Sequence, residues 1–230
     1  MNYKCILFDL DHTLWDYETN SQEALTELYN VYHLSEKGID DVKTFLQTFH
    51  RINNALWDLH DRGELSGDDL RSQRFHKIFL EHNIDDYELS LKFSDDYLDI
   101  SPKKKNLIDG CNETLEYLLP KYEMVIVTNG FEEIQSTKLS SSGIGRYFKS
   151  IVTSARAGHK KPSKRIFEFA LRENNVAPHE AIMVGDNLLT DIAGAANAKI
   201  DTVFFNPNGI VHQTKVNHEI KNLRELKNIL

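Results

Sequence analysis

Cysteine is nearly missing from this chain. Cys5 and Cys111 are the only two among 230 residues, and they offer neither a disulfide framework nor the close spacing of a thiolate metal site. A reducing compartment is the expectation. No apolar run approaches the ~20 residues that a membrane helix needs. The N-terminus also lacks a basic segment followed by a signal-peptide core, so no membrane partner and a cytoplasmic location are expected. Positive charge is scarce as well: Lys and Arg number 27 against 35 Asp and Glu, for a net charge of −8. Nucleic-acid backbones are held by clustered Lys and Arg, and the longest basic run here, Lys103-Lys104-Lys105, reads as a solvated linker, so nucleic acid is not a partner. Histidines are present, but His12, His50, His60 and His76 show no metal-ligand spacing and read as helix-surface or turn residues. There is no internal repeat and no low-complexity segment.

What remains is an ordinary globular composition, 40% apolar and 27% charged, in a chain long enough for one large domain with an insertion or for two domains. The chain is organised around Tyr3 to Trp15. There a short apolar run, Cys5 to Phe8, stops at two carboxylates, Asp9 and Asp11. Such a run suits a strand covered on both faces, and open parallel sheets bind ligands just outside the carboxyl ends of their strands. Taken alone, a strand ending in D-x-D reads equally well as a solvated turn whose acids cap local N–H groups.

After Trp15 the apolar spacing becomes helical: Ala24, Leu25 and Leu28, then Phe45, Phe49, Ile52, Leu56 and Leu59, then Phe75, Ile78 and Phe79, then Leu89, Phe93 and Tyr97. No strand is expected between Asp16 and Ser101, and Ser66 is placed as a helix N-cap. Beyond the linker at Ser101-Pro102, helices and strands alternate. A helix over Gly110 to Leu119 leads into a strand over Glu123 to Val127. A helix from Phe131 to Ser141, a strand at Ile151-Val152 and a helix opened by Pro162 follow. The chain closes with a strand over Ala181 to Val184, a helix from Leu188, a strand over Thr202 to Phe205 and a short helix over Asn222 to Leu230. This alternation predicts an α/β fold: a Rossmann-like parallel sheet core with helices on both faces, made of residues 1–15 and 102–230, and an α-helical domain of residues 16–101 inserted after the first strand.

In a parallel sheet Asp9, Thr128 and Asp186 all stand at carboxyl ends, and Asp191 follows five positions after Asp186. Carboxylates crowded on one rim repel unless a cation is present, and hard oxygen ligands suit Mg²⁺. Thr128 and Lys161 face them as donors, with Pro162 placing Lys161 at a helix N-terminus. Acids with a metal on one side and donors with an ammonium on the other make a phosphate site.

These residues resemble the haloacid dehalogenase superfamily over nearly the whole chain. D-x-D-x-T at Asp9 to Thr13, T-N-G at Thr128 to Gly130, K-P at Lys161-Pro162 and G-D-x-x-x-x-D at Gly185 to Asp191 occur in the superfamily's order. The resemblance implies a phosphatase in which Asp9 is the nucleophile that forms an aspartyl-phosphate and Asp11 the general acid and base. It implies Mg²⁺ held by the Asp9 carboxylate, the Asp11 carbonyl and Asp186, with Asp191 in support. Thr128, Asn129, Gly130 and Lys161 would bind the phosphoryl group. It also implies a mobile helical cap, hinged near Asp16 and across Ser101 to Asp109.

Asp11 separates this chain from dehalogenases, which lack that acid, and from pumps, which carry Thr there. A phosphosugar mutase also has the acid. A catalytically silent binding module would show a broken motif, and none is found. Within the superfamily, Asn129-Gly130-Phe131, Leu56-Trp57, Gly63 and Arg74-Phe75 resemble the branch of pyrimidine 5′-nucleotidases that act on noncanonical nucleoside monophosphates. The implied substrate is a small phosphomonoester, a uridine- or thymidine-type 5′-monophosphate, with a sugar phosphate as the alternative. Trp57 or Phe131 could stack on a base and Arg74 could reach a phosphate or carbonyl, though Trp57 also fits a helical core and Gly63 a helix end. One departure is Lys199, where relatives carry Gly. A left-handed Lys costs about 1–2 kcal/mol, and either a positive φ or a locally rearranged turn is predicted there.

Overall fold

The computed structural model describes residues 3–230. They form two compact units: one of 18–104, the other of the residues up to Tyr17 together with Lys105–Leu230.

The second unit is built on six parallel strands: β1 (Cys5–Phe8), β2 (Glu123–Thr128), β3 (Ser150–Thr153), β4 (Ala181–Gly185), β5 (Asp201–Phe205) and β6 (His218–Ile220), in the order β3-β2-β1-β4-β5-β6. The first strand made is thus central. Phe8 lies level with Ile126 on one side and Val184 on the other. Side chains on a strand alternate in direction with a period of two. Accordingly Ile6 and Phe8 join one apolar layer with Leu115, Leu118, Leu139 and Leu223, while Cys5 and Leu7 join the other with Ile166, Phe167 and Ala170. Both faces are covered, which is why the strands read as continuous apolar runs.

The helical unit comprises α1 (Tyr17–Val31), α2 (Val42–Arg62), α3 (Gly67–Glu81) and α4 (Tyr87–Ile100); α1 begins at the last residue of the other unit. Its ends are set by local chemistry. Ser66 Oγ accepts from Asp69 N–H at 3.0 Å, which makes Ser66 the N-cap of α3 as expected. Gly63 ends α2 at φ 84°, in the left-handed region glycine tolerates. Phe45, Phe49, Phe75, Phe79 and Phe93 make an aromatic core belonging to this unit alone. Among the described residues this unit contains no strand.

In the sheet unit, α5 (Cys111–Leu118), α6 (Glu132–Ser141), the single turn α7 (Ser154–Ala157), α8 (Lys164–Glu173) and α9 (Gly194–Asn197) connect the strands. One sequence expectation needs correction, one is borne out with a different helix type, and one strand was missed. Pro162 does not open α8: the helix starts at Lys164 behind the N-cap Ser163, and Pro162 follows a cis peptide bond from Lys161. The segment from Leu188 is a π-helical stretch, Leu188–Ala193, that runs into α9. And β6 was not foreseen, because three residues with His218 and Glu219 among them carry no apolar alternation. The lysine triplet is only partly solvated: Ser101 and Pro102 are buried, and Lys104 pairs with Glu27 at 2.9 Å. Lys199 does take a positive φ, 62°. No described helix is long and apolar enough to cross a membrane.

Candidate active site

Continuing the register beyond Phe8 sets Asp9 level with Val127 and Gly185, so Thr128 and Asp186 stand one residue further out on either side. Asp9 N–H donates to Val184 O at 2.9 Å, which ties the carboxyl end of β1 to β4. The chain then turns tightly, with Leu14 and Trp15 N–H both donating to Leu10 O, and exposes the carboxylates of Asp9 and Asp11 to different neighbours.

Asp9 faces Lys161. The Lys161 ammonium is buried and donates to Asp9 Oδ1 at 2.5 Å and to Asp191 Oδ1 at 2.6 Å. Asn129 fixes that lysine from the backbone side: its amide nitrogen donates to Lys161 O at 3.0 Å and its amide oxygen accepts from Lys161 N–H at 2.8 Å. Asp191 is delivered by the π-helical segment, and its second oxygen accepts from Asn187 N–H at 3.0 Å. Gly185 is required here, since a Cβ on it would come within 2.3 Å of Asp191 Oδ2. Asp186 Oδ1 accepts from the Thr13 hydroxyl at 3.0 Å.

Three carboxylates therefore crowd together where one ammonium bonds only two of them, Asp9 and Asp191. Burial, reinforced by Asp191 and Asp186, pushes Asp9 well above the usual carboxylate range despite Lys161. Burial and the charge of Asp191 likewise push Asp186 up to about 6. Burial opposes the charge on Lys161, but Asp191 and Asp9 outweigh it and hold the ammonium protonated. The surplus negative charge calls for a further cation. Asp9, Asp186 and Asp191 each offer an oxygen within 4.8 Å of the others, an all-carboxylate set of the kind that suits a hard divalent ion such as Mg²⁺.

Asp11 belongs to a second cluster. Lys138 Nζ donates to both of its oxygens, at 2.6 and 2.8 Å, and Gln135 Nε2 donates to Oδ2 at 2.9 Å. Burial would raise this carboxyl, but the charge of Lys138 and these hydrogen bonds outweigh it and hold Asp11 below the usual range. The ammonium of Lys138 lies 4.4 Å from the ring centre of Trp15 and 5.8 Å from that of Tyr17. Gln135 Nε2 also reaches Thr128 Oγ1 at 3.2 Å, and Gly130 N–H reaches the same oxygen at 3.0 Å. Both use the hydroxyl as acceptor, so its hydrogen is left to donate to an anion. Gly130 makes room for the glutamine: a Cβ there would fall 1.6 Å from Gln135 Nε2. The orientation of that amide is set by Asp11, whose carboxylate can only accept, and it turns the buried Gln135 Oε1 away from protein donors.

The sheet edge thus brings together Asp9, Asp186, Asp191, Lys161 and Asn129 in one network and Asp11, Thr128 and Gly130 in the other. Phe131 is the half-buried N-cap residue of α6. Trp57 is half-buried against the helical unit's core, edge-on to His60. Arg74 lies inside that unit, with its guanidinium over Phe75 and Tyr97 at 5.0 Å each and Nη1 donating to Asn53 at 3.3 Å. Sequence reasoning missed Thr13 as a partner of Asp186, and missed Gln135 and Lys138 entirely. A signal for the latter pair exists: they sit three apart on α6 and are buried, where an apolar stripe would be expected.

The chain matches the family described as haloacid dehalogenase-like hydrolase over residues 6–205. It is 30% identical to the pyrimidine 5′-nucleotidase PynA of Streptococcus pneumoniae, covering 100% of this chain and 98% of that one. It is 28% identical to the pyrimidine 5′-nucleotidase YjjG of Escherichia coli, covering 97% and 98%. Among solved structures, the magnesium-bound HAD-hydrolase YfnB of Bacillus subtilis superposes with a TM-score of 0.89 at 26% identity, covering 100% of this chain and 99% of that one.

Proposed function

Because the chain belongs to the haloacid dehalogenase-like hydrolase family, we propose that it is a Mg²⁺-dependent phosphomonoester hydrolase whose nucleophile is Asp9. The observation that carries this reading is the buried Lys161 ammonium set between Asp9 and Asp191, with Asp186 completing the acidic group. Asp9, Asp186 and Asp191, with the Asp11 carbonyl, would hold the ion. When bound, Mg²⁺ supplies positive charge that offsets the repulsion between a carboxylate and a phosphate.

The chain's own residues do the rest. Thr128, the Gly130 region and Lys161 orient the phosphoryl group. A bond forms between an Asp9 oxygen and phosphorus as the ester P–O bond breaks, and the leaving oxygen takes its proton from the protonated form of Asp11, the minor form while Lys138 bonds both its oxygens. Asp11 then removes a proton from water, whose oxygen attacks phosphorus and frees Asp9 and inorganic phosphate. Positioning and electrostatics supply most of the acceleration.

The substrate class we assign is the pyrimidine nucleoside 5′-monophosphates, deoxy forms included. It rests on the likeness to two relatives named as pyrimidine 5′-nucleotidases along nearly their full lengths. Trp57 or Phe131 is assigned to the base, and Arg74, being buried, to shaping the helical unit that carries Trp57. That unit is assigned the part of a cap which excludes water during attack on phosphorus and admits it afterwards.

The test is a panel of phosphate esters with Mg²⁺, read by release of inorganic phosphate. Uridine and thymidine 5′-monophosphates are expected to give the highest kcat/KM and chelation of Mg²⁺ to abolish turnover. Sugar phosphates above every pyrimidine nucleotide would overturn the nucleotidase assignment. Failure on all esters would overturn the phosphatase reading.

A further inference from the structure

The acid that must hand a proton to the leaving group does not stand alone. Both oxygens of Asp11 are engaged by Lys138 and one of them also by Gln135, two residues of α6 that are themselves buried. Lys138 is in turn seated against Trp15 and Tyr17, which follow Asp11 on the same turn of chain. Gln135 links Asp11 to Thr128, the hydroxyl assigned to the phosphoryl group. Its amide is held with both contacts through nitrogen although this leaves Oε1 without a hydrogen bond.

A carboxylate gripped this way has little freedom of rotation, and its distance from the phosphate donors is set by a single side chain. We propose that Lys138 and Gln135 are positioning residues for proton transfer: they fix the direction from which Asp11 gives its proton to the leaving oxygen and later takes one from water. This inference rests on the phosphatase reading above and deepens it.

A purely structural role and a positioning role differ in how the loss depends on the leaving group. Departure of p-nitrophenolate needs no proton, whereas departure of an alkoxide from a 5′-nucleotide or sugar phosphate does. The quotient kcat/KM reports steps through the first irreversible one, here transfer to Asp9. Lys138→Met and Gln135→Met are therefore compared with the unaltered protein on p-nitrophenyl phosphate and on the alkyl phosphate that the unaltered protein hydrolyses best. Lys138→Met is expected to lose about a hundredfold on the alkyl ester and less than about fivefold on the aryl ester. Lys138→Arg, which keeps a cation at that place, should recover about tenfold of the alkyl loss.

Gln135→Met leaves the ion pair in place, so a folding defect in the lysine variant does not decide the matter. It should show the same selective loss at smaller size. Equal losses on both esters, or none, overturn the inference while the phosphatase reading stands. An unaltered protein that hydrolyses neither ester sinks the phosphatase reading itself.

Discussion

Under the proposed mechanism Asp9 and Asp186 have different tasks, and substitution separates them. Asp9→Asn removes the attacking oxygen while keeping the size of the side chain and its contact with Lys161. The expected loss is at least about a thousandfold in kcat, roughly 4 kcal/mol in the barrier, with the melting temperature nearly unchanged. Acid-quenched turnover of the unaltered protein should trap phosphate on Asp9, and phosphate trapped on any other residue would refute the assignment. Asp186→Asn keeps the nucleophile but removes an oxygen ligand, so its Mg²⁺ titration should shift to concentrations at least about tenfold higher. An unchanged titration midpoint would place the ion elsewhere. These acids were legible in the sequence because strands of apolar residues end on them. Lys138 and Gln135 were not, because a lysine in a helix is a solvated residue unless the fold buries it, and burial is decided by Asp11 over a hundred residues away. Arg74 shows the converse: a charged side chain that sequence reasoning aimed at a ligand is packed among aromatic rings.

The helix that follows β2 does more than connect strands. Its N-terminal turns supply the glutamine that joins Thr128 to Asp11, and the glycine before it leaves the space that side chain needs. Gly130→Ala should displace Gln135 and lower kcat/KM on alkyl phosphates by about tenfold or more while folding is retained, which steady-state kinetics beside a thermal melt would check. Another element is held by charge. Arg224, in the C-terminal 3₁₀ helix Leu223–Asn228, donates to Asp109 and Glu113, and Lys227 donates to Glu113. Hydrogen bonds from Arg224 and Asn222 hold Asp109 below the usual carboxylate range, and those from Lys227 and Arg224 do the same for Glu113. A carboxyl depressed in the folded state binds fewer protons there than when unfolded. Its contribution is thus present above the ordinary carboxylate pKa near 4 and is lost as pH falls through the depressed value. Arg224→Gln should melt slightly below the unaltered protein at pH 7, with the gap narrowing between about pH 5 and pH 3. A gap independent of pH would assign the arginine to packing alone. At this scale the sequence was read correctly wherever a period was long. It failed at β6, too short to show one, and at Pro162, where a general preference for the first helical turn was overridden by the hydrogen-bonded turn that Asn129 imposes on Lys161.

For the molecule as a whole, the decisive fact is that each unit has a core of its own. The chain leaves the sheet unit and returns to it through two neighbouring segments: Trp15 is bridged to Leu107, and Asp16 N–H donates to Asn106 O at 3.1 Å. Joining Tyr17 to Lys105 through a short Gly-Ser linker, without residues 18–104, should therefore leave a folded sheet unit. It should retain Mg²⁺-dependent hydrolysis of p-nitrophenyl phosphate at a reduced rate, while the preference among esters collapses to within a few-fold. A folded deletion variant that still prefers the same ester would show that selection resides in the sheet unit. Helical spacing gives way to strand–helix alternation at one place in the sequence, close to where the two units divide.

The central position of β1 has a consequence for how the protein is made. Strand β1 is synthesised first, yet its neighbours in the sheet begin at Glu123 and Ala181. At a translation rate of roughly 5–20 residues per second, β1 waits on the order of ten seconds or more before both are available. The helical unit lies between them in sequence and can complete its own core during that interval. A nascent polypeptide therefore carries Asp9 well before Asp186 and Asp191 have been made, and chains interrupted between them hold that aspartate without the carboxylates it meets in the folded protein.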